Sequence, residues 1–182
     1  MEKADNGKNF TLEIINQDWL GNEPEQFDLC SHGQLVLTIG GEIILDGRET
    51  YGLSESALAL LRTLTSDHNP DSPLAEKLIF HGCGTVLMQS CPIGVDWTVS
   101  HQGDQVSLGE IKRWDWPDEN RPTCFPGLQV SLPQDVYRKV IMSFAKQVRQ
   151  FFQGKEKTLI DEAERLAYQK FWQEFNQRCD EQ

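Results

Sequence analysis

Long apolar stretches are missing from this sequence. Runs such as Ile43-Ile44-Leu45 fall far short of the roughly 20 residues a bilayer-spanning helix needs, so no membrane span is expected. A basic segment followed by an apolar one is also missing from residues 1–9, which are polar and acidic. The expectation is a chain without a signal peptide, residing in the cytoplasm. A surplus of positive charge is absent: the formal net charge is -11. Such a surface repels a phosphate backbone, which argues against nucleic-acid binding. There is no phosphate-cradling glycine loop, Walker sequence or dinucleotide fingerprint. Closely spaced C-x2-4-C pairs, the usual mark of a structural zinc site, do not occur either.

What is present is the composition of a folded globular chain. Its 182 residues suit one domain, with 38% hydrophobic and 25% charged residues. The acidity is uneven. Residues 1–132 carry 20 Asp and Glu against 8 Lys and Arg, a balance of -12; residues 133–182 carry 8 against 9, a balance of +1. The negative field therefore belongs to the first part of the chain, and its natural complement is a basic protein surface. Plain solubility is the simpler use of the same charge. Five cysteines, an odd number, fit free thiols in a reducing compartment.

The hydrophobic pattern changes in kind at about residue 133. Before it, short alternating runs predict strands at 10–15, 27–31, 34–39, 42–45, 78–80, 85–89, 95–100, 105–108 and 128–132. Gly40-Gly41 and Gly103-Asp104 supply tight turns. One helix interrupts them at about 54–67, with Ser54 as its expected N-cap and Asn69-Pro70 as its stop. Residues 112–127 are expected to form a loop. After Pro133, Val136, Tyr137, Val140, Ile141, Phe144 and Val148 recur at helical spacing to Gly154. Thr158 and Asp161 resemble a capping box for a second helix, whose face is Leu159, Ala163, Leu166, Ala167, Phe171 and Phe175. The expectation is a single α+β domain spanning 1–182. Antiparallel β-rich residues 1–132 hold one inserted helix, and an antiparallel helical hairpin at 133–180 packs on them.

Two constellations carry chemistry. Cys30, His32, His81, Cys83, Cys91 and His101 are soft metal ligands. Cys30 and His32, and likewise His81 and Cys83, stand two apart, a spacing that puts both on one face of a strand. Together they form a candidate zinc site, against the plainer reading of small buried thiols and turn histidines. Cys83 in its glycine-rich turn is also a candidate nucleophile. Asp96 with His101 is a candidate acid–base pair, although alternation puts Trp97 in the core and Asp96 at an exposed or edge position. The second constellation is Trp114, Asp115, Trp116, Asp118 and Glu119. Aromatics among acids in a loop suit a contact in which Trp supplies buried area and carboxylates steer a basic partner. The alternative is a loop packed on the domain by its own tryptophans.

The run Asp28-Leu29-Cys30-Ser31-His32-Gly33, the stretch 53–68 and the segment 94–101 (GVDWTVSH) resemble a group of uncharacterised small acidic bacterial proteins. Some proteins of that kind are regarded as immunity proteins, which neutralise a cognate toxin. The resemblance covers roughly residues 27–108 and implies no catalytic or binding residue. Two functions follow as expectations. One is a non-enzymatic, immunity-type module occluding a basic partner and needing no cofactor; the other is a metal-dependent or thiol enzyme built on the Cys/His cluster.

Overall fold

Strands form where alternation is cleanest. The computed structural model describes residues 9–21, 24–70, 77–81, 92–118 and 120–180. β1 (Phe10–Ile14), β2 (His32–Ile39) and β3 (Glu42–Gly52) make a three-stranded antiparallel meander. Leu35, Leu37 and Ile39 of β2 point inward while Val36 and Thr38 are half-buried, the period of two written in the sequence. Gly40 and Gly41 turn the β2–β3 hairpin at φ 61° and 84°, a geometry that disfavours side chains with a Cβ. The second sheet holds β4 (Ile79–Phe80), β5 (Gly94–Gln102), β6 (Gln105–Trp114) and β7 (Thr123–Cys124) in that order, with β8 (Val130–Pro133) also paired to β6.

Helices cover these sheets. α1 (Leu53–Arg62) starts directly from β3, and α2 (Gln134–Phe152) directly from β8. On α2, Tyr137, Ile141, Phe144, Ala145 and Val148 are buried at helical spacing. Trp97 of β5 is fully buried, 6.3 Å from the Phe10 ring of β1, and Phe10 lies 5.3 Å from Tyr137 of α2. These three rings join both sheets to the helical layer. Burying one such ring is worth about 4–6 kcal/mol as an upper bound. α3 (Glu162–Asp180) runs back antiparallel to α2, with Phe152 against Trp172 at 4.6 Å and Arg149 on Asp180 at 2.7 Å. The α+β class and the C-terminal hairpin are as the sequence predicts.

Several local expectations need correction. Residues 27–31 are not a strand, because the Asp28 carboxylate, not a neighbouring strand, takes the Leu20 and Cys30 amides (2.8 and 3.2 Å). α1 ends at Arg62, not 67, and begins with Gly52 as cap; the Ser54 hydroxyl instead accepts from Ser31 N–H at 3.0 Å. β3 extends to Gly52, and β6 runs to Trp114, shortening the loop, because β7 pairs with Lys112 and Arg113. At the start of α3 the cap is Asp161, which accepts from Glu164 N–H at 2.8 Å while Glu164 reaches back to Ile160 N–H at 2.6 Å. Only Phe171, Phe175 and Cys179 of α3 are buried; Ala163 and Leu166 are exposed, since the contacts to α1 and α2 lie in its second half. The strand expected at 85–89 lies outside the described residues.

Candidate partner-binding site

β6 positions the Trp-rich segment. Trp114, its last residue, is half-buried with the Lys77 ammonium 4.1 Å from its ring centroid. It is a packed aromatic, not a projecting one. Asp115 is partly covered and pairs with Arg113 (Nε to Oδ2, 2.7 Å), whose Nη1 also donates to Ile44 O of β3 at 2.7 Å. That clamp ties the start of the loop to the first sheet. Beyond it, Trp116 is 75% exposed, and Pro117 and Asp118 are exposed beside it. Glu119 lies outside the described residues. An indole held on a clamped stem and left in water is the anchor type that dominates protein interfaces.

Trp116 stands on the rim of a groove of about 500 Å³ between β3 and the end of β6. Its wall includes Asp46, Arg48, Glu49 and Tyr51 from β3, and Arg113 and Asp115 from the other side. Arg48 is paired with Asp46 at 2.5 Å. The Tyr51 residue is 1% exposed, and its hydroxyl has no hydrogen-bond partner among the described residues. Burial, with Asp115 and Glu49 nearby, pushes that hydroxyl's pKa up, so it stays a neutral phenol. The loop residues stand out by composition; the β3 half of this groove does not, because nothing local in β3 signals what it will face.

The soft-ligand residues are divided. Cys30 and His32 lie together beneath the start of α1, 1% and 3% exposed. The Cys30 thiol donates to Glu55 Oε1, and the Ser54 hydroxyl donates to Glu55 Oε2 at 2.8 Å. Glu55 is thus a buried acid, not a solvent-facing first-turn charge, and burial raises its pKa. Burial first, and Glu55 second, raise the Cys30 thiol well above its usual range, so it is held as a thiol and not as a nucleophilic thiolate. The His32 ring has both nitrogens buried without a hydrogen-bond partner among the described residues, and the Asp28 carboxylate is 4.0 Å away. Burial lowers its pKa, opposed by Asp28 and reinforced by His81.

His81 is electrostatically near His32 and hydrogen-bonds through its amide to Ile93 O, just before β5. His101 stands at the far end of β5, roughly 25 Å along the strand, paired with Asp67 at 2.8 Å. It does not join Cys30 and His32. Cys83 and Cys91, and with Cys83 the nucleophile reading, lie outside the described residues. Among the described residues no group of three or more His, Cys, Asp and Glu has the geometry to hold a metal ion.

Asp96 departs from its expected place. It is 2% exposed, accepts from Leu78 and Trp97 amides (3.3 and 3.1 Å), and pairs with His68 Nε2 at 2.7 Å, not with His101. A bulge between Asp96 and Thr98 breaks the alternation of β5, and His68, bridged to Val99, covers the carboxylate. His68 therefore lies beyond the end of α1 and serves as the partner of Asp96. Among the described residues no helix is long and apolar enough to cross a membrane. Compared with known proteins, the chain matches no protein-family model, no curated protein and no solved structure.

Proposed function

We propose that this protein is a non-enzymatic binding module of the immunity type, which occludes a basic surface on a partner protein. The observation that carries this reading is Trp116: a large aromatic 75% exposed on the rim of a groove rich in carboxylates. The stem beneath it is clamped by Arg113, so docking it costs little ordering entropy. Asp118 beside it and the surplus of 12 negative charges on residues 1–132 steer a basic partner toward it. Occlusion needs no reactive group. The test is a photo-crosslinking residue placed at position 116, with the same residue at exposed Lys146 as control, in cells that make the protein. Specific capture of a basic protein from position 116, followed by measurable 1:1 association of the purified pair, is expected. Equal capture from both positions would contradict it.

A second reading, a zinc-dependent or thiol enzyme, is favoured by one observation. The His32 ring is buried, with neither nitrogen partnered among the described residues, as an imidazole awaiting a ligand would be. Metal analysis of protein purified without chelator tests it. About one zinc per chain, with thiols that titrate only after its removal, would establish that reading in place of the first.

A further inference from the structure

The groove beside Trp116 has a composition that selects its occupant. Three carboxylates line it, Asp46, Glu49 and Asp115, against two guanidinium groups. Arg48 is held by Asp46, and Arg113 by Asp115 and the Ile44 carbonyl. Glu49 is left with no ion-pair partner among the described residues. An anion entering here would meet guanidinium groups already engaged and an unpaired carboxylate. A cation meets a vacant one. Beside it, Tyr51 lends a buried hydroxyl oxygen with no donor directed at it among the described residues, a polar atom whose desolvation a ligand N–H would offset. His81 and Ile93 complete the wall. The volume, about 500 Å³, is that of a small-ligand site and admits a side chain, not a helix.

Resting on the binding-module reading above, we infer that this groove is the receptor for a single arginine side chain of the partner's basic surface. The guanidinium stacks on the exposed Trp116 indole, one edge donates to the Glu49 carboxylate and another N–H donates to Tyr51 Oη. Arginine fits where lysine does not. Its planar fork carries five N–H donors in fixed directions and a face that stacks on an indole, so one group serves all three partners together. A lysine ammonium is more strongly hydrated and has no planar face to stack. Trp116 thus acts as one wall of a cation site and not only as a hydrophobic anchor.

The experiment is an amide and indole chemical-shift titration of the full chain with a capped triarginine peptide. Trilysine and triglutamate peptides of the same length serve as comparators. Triarginine is expected to shift the Trp116 indole N–H and the Gly47 and Arg48 amides, and to bind about fivefold or more tighter than trilysine. Triglutamate is expected to leave those signals in place. Tyr51→Phe and Glu49→Gln are each expected to weaken triarginine about fivefold, while a matched Glu156→Gln change on the distant linker leaves it unchanged. Equal binding of trilysine, or unaltered triarginine binding in both groove variants, would overturn the inference. Its failure is separable from that of the parent reading. A basic protein captured at position 116 whose affinity ignores Tyr51→Phe and Glu49→Gln sinks the arginine receptor alone. Loss of specific capture sinks the binding module.

Discussion

Acids, a polar hydroxyl and an aromatic or imidazole ring occur together at two places in this molecule, and water separates their roles. Around Glu55, the carboxylate is buried with Cys30 and Ser54 on its two oxygens, and its pKa is raised. It is a buried hydrogen-bond acceptor that helps seat α1 on the chain before β2. Around Trp116, Asp118 and Glu49 are exposed to the solvent. The same residue type is packed in one region and left to the solvent in the other, and only the fold decides which. A list of acids from the sequence cannot tell the two apart.

The sharpest way to break that comparison is to reverse one charge in each region. Glu55→Lys buries an ammonium and removes the acceptor of the Cys30 and Ser54 hydrogen bonds, and urea unfolding is expected to show a loss of about 3–5 kcal/mol or failure to fold. Asp118→Lys is expected to stay within about 0.5 kcal/mol of the parent. Comparable losses at both positions would mean that the Trp116 loop is part of the core.

Next in size is the pH dependence. The raised pKa of Glu55 means that the folded chain binds its proton more tightly than the unfolded chain. Its contribution is full below the ordinary carboxylate value of 4.5 and falls as pH rises toward the folded-state pKa. His32 has the opposite sense. Its lowered pKa keeps it neutral when folded, so its contribution is intact above 6.5 and lost as pH falls below that value. Unfolding midpoints across pH are expected to lose the fall above 4.5 in Glu55→Gln and the acid-side fall below 6.5 in His32→Asn. A profile unchanged in Glu55→Gln would show that the acid is solvated in the folded protein.

Tyr51→Phe sharpens the contrast at the groove. Its hydroxyl has no partner to lose, so thermal unfolding is expected to show a gain of up to about 1 kcal/mol, even as the groove loses an acceptor. A clear loss of stability would mean that the hydroxyl is already bonded. Smallest of all is Glu174, where Arg62, aided by Arg178, depresses the pKa to about 2. That contribution is present above 4.5 and lost as pH falls toward 2. The group is partly exposed, so Glu174→Gln is expected to cost less than about 1 kcal/mol, a value that vanishes at high salt.

Much of the fold was legible because its signals are local. The glycine pair at 40–41, the alternation of β2, the core position of Trp97 and the stripe of α2 each follow from residues within one element. What escaped depended on residues distant in the chain. Asp96 is buried because a bulge and His68 cover it; Ser54 serves Ser31 and Glu55 instead of capping α1; Leu166 is exposed although Tyr168, two residues on, packs against the core. The candidate site was half legible. Trp116 and Asp118 stand out by composition, whereas Glu49 and Tyr51 read as an ordinary strand until β6 is laid beside it. Trp114 carries the same local signal as Trp116, but it ends β6, half-buried under Lys77, whereas Trp116 lies beyond the strand in water.

If the acidic, aromatic loop docks a basic protein, its charge sets the rate of encounter. The most direct measurement is the association rate constant of the purified pair at about 20 mM and about 200 mM salt, for the parent chain and for Asp118→Lys. The parent is expected to slow about tenfold or more between those concentrations, and the variant to start slower and change less. Equal rates and equal salt dependence in the two proteins would contradict the account and remove the Trp116 loop from the interface.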